Sequence, residues 1–131
     1  GTLLGIAPWR LTEALAAEYL AGIAETEPLY AREGLAHPGL VLRLCNRALT
    51  EAVVLGPWIH VGSRVRNFAA GRVGEEFTLR ARVTANYERK GHRLVDLDAL
   101  VLAGGDRVVA RVAHTAVWRP RGVEGAATAA A

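Results

Sequence analysis

A carboxylate, a phenol and an imidazole fall close together in the chain: Glu25, Tyr30 and His37. These group types serve general acid–base work, in which one side chain takes a proton from water while another returns one to the substrate. Glu25 and His37 would form a carboxylate–imidazole couple, the carboxylate orienting the ring. His37 is either the base of that couple or, more plainly, a cap for the helix that follows it. A phenol is a poor general base, so Tyr30 reads as a donor to a substrate oxygen. Pro38 has no N–H, which leaves Gly39 and Leu40 as the free amides at the positive end of that helix. Such amides welcome a developing oxyanion. Glu27 reads as a solvated carboxylate.

A second polar set is basic. Arg64, Arg66, Arg80 and Arg82 alternate with apolar residues in two strand-like runs, and they share one sheet face if those strands are neighbours. A solvated face is the plain reading. A phosphate contact, which the guanidinium fork suits, is the functional one. His60 and His114 also alternate with apolar neighbours and read as hydrogen-bonded structural imidazoles. No Cys or His pair has zinc spacing, so no metal is expected. Cys45 is the only cysteine, which excludes a disulfide within the chain, and it reads as a small core filler.

The element that must position these groups is a helix predicted over His37 to Val54. Pro38 suits its first position. Val41, Leu44, Cys45, Ala48, Leu49, Ala52 and Val53 recur at helical spacing, Leu40 and Leu42 widen the stripe, and Arg43, Arg47, Thr50 and Glu51 gather opposite. Gly56-Pro57 stops it. A helix this apolar needs a cover. Upstream, residues 3 to 6 read as a short strand. Thr12 N-caps a helix over 13 to 23 whose stripe is Leu15, Ala16, Tyr19, Leu20 and Ile23, and residues 24 to 36 form a loop. Downstream come four strands, at about 58–68, 77–84, 93–102 and 108–118. Their short connections, Ala103-Gly104-Gly105-Asp106 among them, favour an antiparallel sheet. The architecture expected is α+β: one curved antiparallel sheet wrapped around one long helix.

Length and composition place this as one domain, residues 1–121, with an Ala-rich tail at 122–131 expected to be disordered. No run approaches a membrane span and no signal peptide is visible, so a cytoplasmic setting without a membrane partner is expected. The net charge is +3 and Lys90 is the sole lysine. No basic helix or aromatic-laced cluster is present, so no nucleic-acid partner is expected. The chain contains no Met, and it is expected to be either a trimmed chain or one domain of a longer protein.

The order of these elements resembles the hotdog fold, and within it the MaoC-like acyl-thioester dehydratases and hydratases. The cues are Leu11-Thr12-Glu13, Glu25-Thr26-Glu27-Pro28-Leu29-Tyr30, Leu35-Ala36-His37-Pro38-Gly39 and Arg72-Val73-Gly74-Glu75, spread over about residues 8 to 120. The resemblance implies reversible hydration of an enoyl thioester. Coenzyme A or an acyl-carrier protein would be part of the substrate, with no other cofactor. Active members carry Asp-x-Asn-Pro-x-His in the loop. Position by position, Glu25 stands for the Asp, Glu27 for the Asn, Pro28 for the Pro and Tyr30 for the His. The proline is kept and the family's base is not, which marks the motif as degenerate and makes His37 the candidate replacement. The resemblance also implies pairing, as a homodimer or as a pseudo-dimer with a second hotdog domain. The four arginines would then meet substrate phosphate or an acidic carrier surface. Two alternatives stay open: an acyl-CoA thioesterase using Glu25 or His37, and a structural or acyl-binding subunit without catalysis.

Overall fold

The computed structural model describes residues 2–52 and 58–122. Two short strands, β1 (Leu3–Gly5) and β2 (Trp9–Arg10), precede helix α1 (Glu13–Gly22), a short helix α2 (Leu29–Glu33) and helix α3 (Leu40–Ala52). Four longer strands follow: β3 (Ile59–Asn67), β4 (Glu76–Arg89), β5 (His92–Ala103) and β6 (Arg107–Arg119). All pairings are antiparallel, in the order β1-β4-β5-β6-β3, with β2 also on β4. This is the α+β arrangement expected from the residue pattern and the hotdog order that the resemblance implies.

The apolar stripe of α3 is buried as its spacing requires. Leu40, Val41, Leu44, Cys45, Ala48 and Leu49 are each at most 5% exposed. The first five pack against inward residues of three strands, including Phe77, Leu79, Ala99, Val101 and Val112. Each fully buried aliphatic side chain of this kind is worth ~2 kcal/mol in transfer free energy, so this contact is the main cohesive term of the domain. On the solvent side Arg47 and Glu51 pair one turn apart at 2.7 Å. The β4–β5 hairpin turns on Lys90 and Gly91, both at positive φ, which is the twist a two-residue antiparallel turn needs.

Three expectations need correction. Pro38 is not the first helical residue: Leu40 N–H bonds back to the His37 carbonyl at 3.0 Å, so Pro38-Gly39 forms a tight turn and the helix begins at Leu40. Its predicted end, at Val53 to Pro57, lies outside the described residues, as does the tail beyond Gly122. The segment 24–36 is not all loop, because α2 occupies its centre. Helix α1 does have Thr12 as its cap, accepting from Leu15 N–H at 3.2 Å, but none of its residues is buried. It lies on the outer flank of α3, where Ala16 and Tyr19 touch the core while Leu15 and Ile23 face outward.

A polar chain crosses the helix–sheet interface. His114 of β6 is 1% exposed, and its Nε2–H donates to Asn46 Oδ1 of α3 at 2.9 Å. That fixes the tautomer, so Nδ1 accepts from Ser63 Oγ of β3 at 2.7 Å. Ser63 Oγ in turn accepts from His60 Nε2, 2.8 Å away, and the two imidazoles stack with centroids 4.4 Å apart. Burial, with the neighbouring His60, pushes the His114 pKa down to about 4 from its ordinary 6.5.

The unfolded chain therefore takes up a proton, between about pH 6.5 and pH 4, that the folded chain refuses. Stability is expected to fall as pH drops through that window, by up to about 3 kcal/mol. Glu75 and Asp98, held below the usual carboxylate range by hydrogen-bonded Arg107 and Arg111, add their losses at lower pH. Urea unfolding of the wild-type chain and of His114→Gln across pH 7 to 4 checks this. The variant should lose most of the slope between pH 6.5 and 4.5.

Candidate functional site

Two local backbone motifs bring Glu25 and His37 together. Helix α1 ends with Glu25 N–H bonding back to the Leu20 carbonyl and Ala24 N–H to the Ala21 carbonyl, at 3.0 and 3.1 Å. This is a Schellman closure, which places one residue in the left-handed region. That residue is Ala24, at φ 54°, without the glycine that usually occupies the position. The closure reverses the chain and aims Glu25 inward. Its Oε1 accepts from Glu27 N–H at 3.3 Å, while Glu27 Oε1 accepts from Leu29 N–H at 3.2 Å at the start of α2. Glu27 thus serves the backbone rather than standing free in solvent.

The second motif is the tight turn ahead of α3. His37 Nδ1 accepts from Gly39 N–H at 2.9 Å, so the neutral ring carries its proton on Nε2. Nε2 lies 3.6 Å from Glu25 Oε2, with both side chains largely shielded from solvent. Two aromatic rings hold the imidazole. Tyr30 of α2 meets it at 4.8 Å between centroids, and Tyr19 of α1 at 5.7 Å. Arg43 of α3 sits 5.7 Å above the Tyr19 ring. A side chain at Gly39 would come within 2.6 Å of the Tyr19 hydroxyl, so glycine is what lets α1 approach the turn.

The amide donors predicted for an oxyanion are both engaged. Gly39 N–H goes to His37 Nδ1, and Leu40 N–H to the His37 carbonyl. The cause is the turn itself, which closes its own hydrogen bonds one residue before the helix begins.

Next to His37 and Tyr30 opens a cavity of about 380 Å³, walled by Val41, Leu44, Phe68 and Phe77. Its wall includes Ala69, Ala70 and Gly71, the start of a segment, 69–75, that is tied down on three sides. Gly71 carbonyl accepts from Ala36 N–H, Glu75 carbonyl from Leu11 N–H, and the Glu75 carboxylate takes both arms of the Arg107 guanidinium at 2.6 and 2.8 Å. Arg72 to Glu75 forms the turn expected ahead of β4.

The four arginines do share a face, although β3 and β4 are not neighbours. Register runs Arg64–Ala113–Asp98–Arg82 and Arg66–Arg111–Leu100–Arg80 across β3, β6, β5 and β4. These residues alternate with the buried ones, so they lie on the face away from α3. The sheet stands between them and the His37 cavity. On that face Arg111 pairs with Asp98 at 2.7 Å. Among the described residues no group of three or more metal-ligating side chains is gathered, and no helix is long and apolar enough to cross a membrane.

No family model and no curated protein matches the chain. Solved structures do. An (R)-hydratase from A. caviae involved in PHA biosynthesis superposes with a TM-score of 0.74 at 19% identity, covering 89% of this chain and 94% of that one. The MaoC-like dehydratase from Rhodospirillum rubrum gives 0.68 at 21% identity, with 92% of each chain covered. The HadBC (3R-hydroxyacyl-ACP dehydratase) complex from Mycobacterium tuberculosis gives 0.71 at 15%, covering 88% and 94%. The shared feature is the hotdog fold.

Two substitutions probe how the site is held. Ala24→Gly removes the left-handed strain before Glu25 and is expected to stabilise by about 1 kcal/mol in thermal unfolding. Gly71→Ala places a Cβ 2.6 Å from the buried Phe77 ring. It should cost about 1–3 kcal/mol by the same measurement, because the buried ring or the tethered loop must shift to admit the methyl group.

Proposed function

We propose that this chain handles acyl thioesters as a hotdog domain of the hydratase/dehydratase type, with a rebuilt acid–base pair. The observation that carries the reading is the Glu25–His37 couple at the edge of an apolar cavity beside the start of α3. The likeness in fold to hydratases and dehydratases supports it. Glu25 is the acceptor of the pair: its carboxylate takes a proton from the water that adds to the β-carbon of an enoyl thioester. His37 is the donor, because Gly39 occupies its Nδ1 and leaves the proton on Nε2. It gives that proton to the α-carbon as the proton taken up by Glu25 replaces it on Nε2, so the ring stays neutral and both groups end as they began. Tyr30, lying against His37 in the place of the family's histidine, confines the ring and lends its hydroxyl to a substrate oxygen.

One observation favours a second reading, acyl binding without turnover. Gly39 and Leu40 both have their amides satisfied within the chain, so a thioester oxygen must displace a bond to be polarised.

Pairing belongs to this proposal. Strand β3 ends the sheet and, with Phe68 just after it, presents Ile59, Val61 and Val65 at 40–56% exposure, a surface suited to a second hotdog, identical or not. In such a pair the four arginines, screened from their own cavity, are available to an acidic carrier surface.

Hydration of short- and medium-chain enoyl-CoA thioesters, followed at the loss of the conjugated thioester absorbance, tests the reading. Turnover is expected, and Glu25→Gln and His37→Phe should each lower kcat by roughly 100-fold or more. Saturable binding of the thioester with no turnover would select the second reading. Neither binding nor turnover would exclude both.

A further inference from the structure

The polar chain between α3 and the β3–β6 edge has the makings of a separate reactive site. In a regular strand, residues three apart point to opposite faces. The bulge between His60 and Gly62 inserts one residue and turns His60 and Ser63 to the same side, towards His114. Bulges that re-aim a side chain in this way are common beside active sites.

The hydrogen-bond directions follow from the donors available. Asn46 Oδ1 can only accept, so His114 Nε2 carries the ring proton and Nδ1 is bare. Ser63 Oγ–H points at that bare nitrogen over 2.7 Å. The His60 Nε2–H occupies one oxygen lone pair and leaves the other free. A hydroxyl aimed at an unprotonated imidazole, whose second nitrogen is pinned by an amide oxygen, is the relation of nucleophile, base and orienting group used in acyl transfer. Burial keeps the resting imidazole neutral, and the same burial makes it a weak base, so acylation through it is expected to be slow. His114 and its bond to Asn46 lie inside, whereas Ser63 is only half-buried and sits on the last strand of the sheet, where a reagent can reach it.

We propose that Ser63 is the acyl acceptor of a second site, with His114 as its base and Asn46 as the residue that positions the imidazole, acting on activated acyl esters and thioesters. Ser63 Oγ bonds to the acyl carbon as its proton passes to His114 Nδ1. The carbon–leaving-group bond then breaks, and His114 gives that proton to the departing alcohol or thiol. Water repeats the steps on the acyl-serine, forming the free acid and restoring Ser63. The net reaction consumes one ester and one water and yields one acid and one alcohol or thiol. Nothing in it requires Glu25 or His37, so the proposal stands or falls separately from the hydration reading.

The test is p-nitrophenyl acetate with the whole chain. A burst of one nitrophenolate per chain is expected, followed by slow turnover, with the acetyl group on Ser63 in a peptide mass map. Ser63→Ala should abolish the burst, and His114→Gln should slow it by roughly 100-fold. Asn46→Asp, which gives the imidazole a charged acceptor, should speed it severalfold, a gain that a purely structural Asn46 would not produce. Far-UV circular dichroism melts establish that each variant is folded. If a variant fails to fold, the wild-type map alone decides. Acetyl confined to Lys90, the N-terminus or a histidine overturns the proposal, as does a burst unchanged in folded Ser63→Ala. An Asn46→Asp rate no faster than wild type overturns the positioning role of Asn46.

Discussion

Everything in this domain depends on covering one side of α3. An apolar helix face in water is tolerable only against another apolar surface, and the inward residues of β4, β5 and β6 are the surface that meets it. Seating the helix there fixes where its first turn lies relative to the sheet. It also leaves the flanks of the helix for α1 on one side and the end of β3 on the other. The cavity beside His37 is the gap that remains where the helix begins and the sheet has curved away.

The Glu25–His37 couple is then held mainly by the main chain. Glu25 takes its direction from the Schellman closure of α1 and from the Glu27 amide. His37 takes its tautomer from the Gly39 amide. Backbone groups in closed turns have little freedom to move, so the two side chains meet without a further polar residue to orient either. The arrangement brings a carboxylate and an imidazole together beside the start of α3. His37 also does part of what the plainer expectation asked of it, since its Nδ1 accepts the Gly39 amide ahead of α3.

Much of this was legible from residue order alone. The α3 stripe, the alternation in the strands, the Thr12 cap and the glycine-marked hairpins rest on local rules of period and turn chemistry, and these hold without knowledge of the partner surface. The parts that escaped such rules have particular causes. Ala24 takes a conformation that its side chain disfavours, so nothing in its identity announced the turn that aims Glu25. The oxyanion amides looked free because a helix start was assumed at Pro38, whereas the turn spends them first. The exposed flank of α1 was misread because its Leu and Ile residues have helical spacing whatever they face. The alignment of His60, Ser63, His114 and Asn46 depends on a bulge and a tertiary contact, neither of which leaves a periodic trace.

Cys45 gives the helix–sheet contact a practical handle. Its thiol is fully enclosed beneath α3, and burial pushes its pKa up to about 12, so in the folded chain almost none of it is the reactive thiolate. It is also the only sulfur in the chain, since there is no methionine. Any soft electrophile that marks the protein at sulfur has therefore caught it with the helix lifted from its bed. The native chain thus carries its own timer for that opening, readable by alkylation and mass, with no second sulfur to confuse the count.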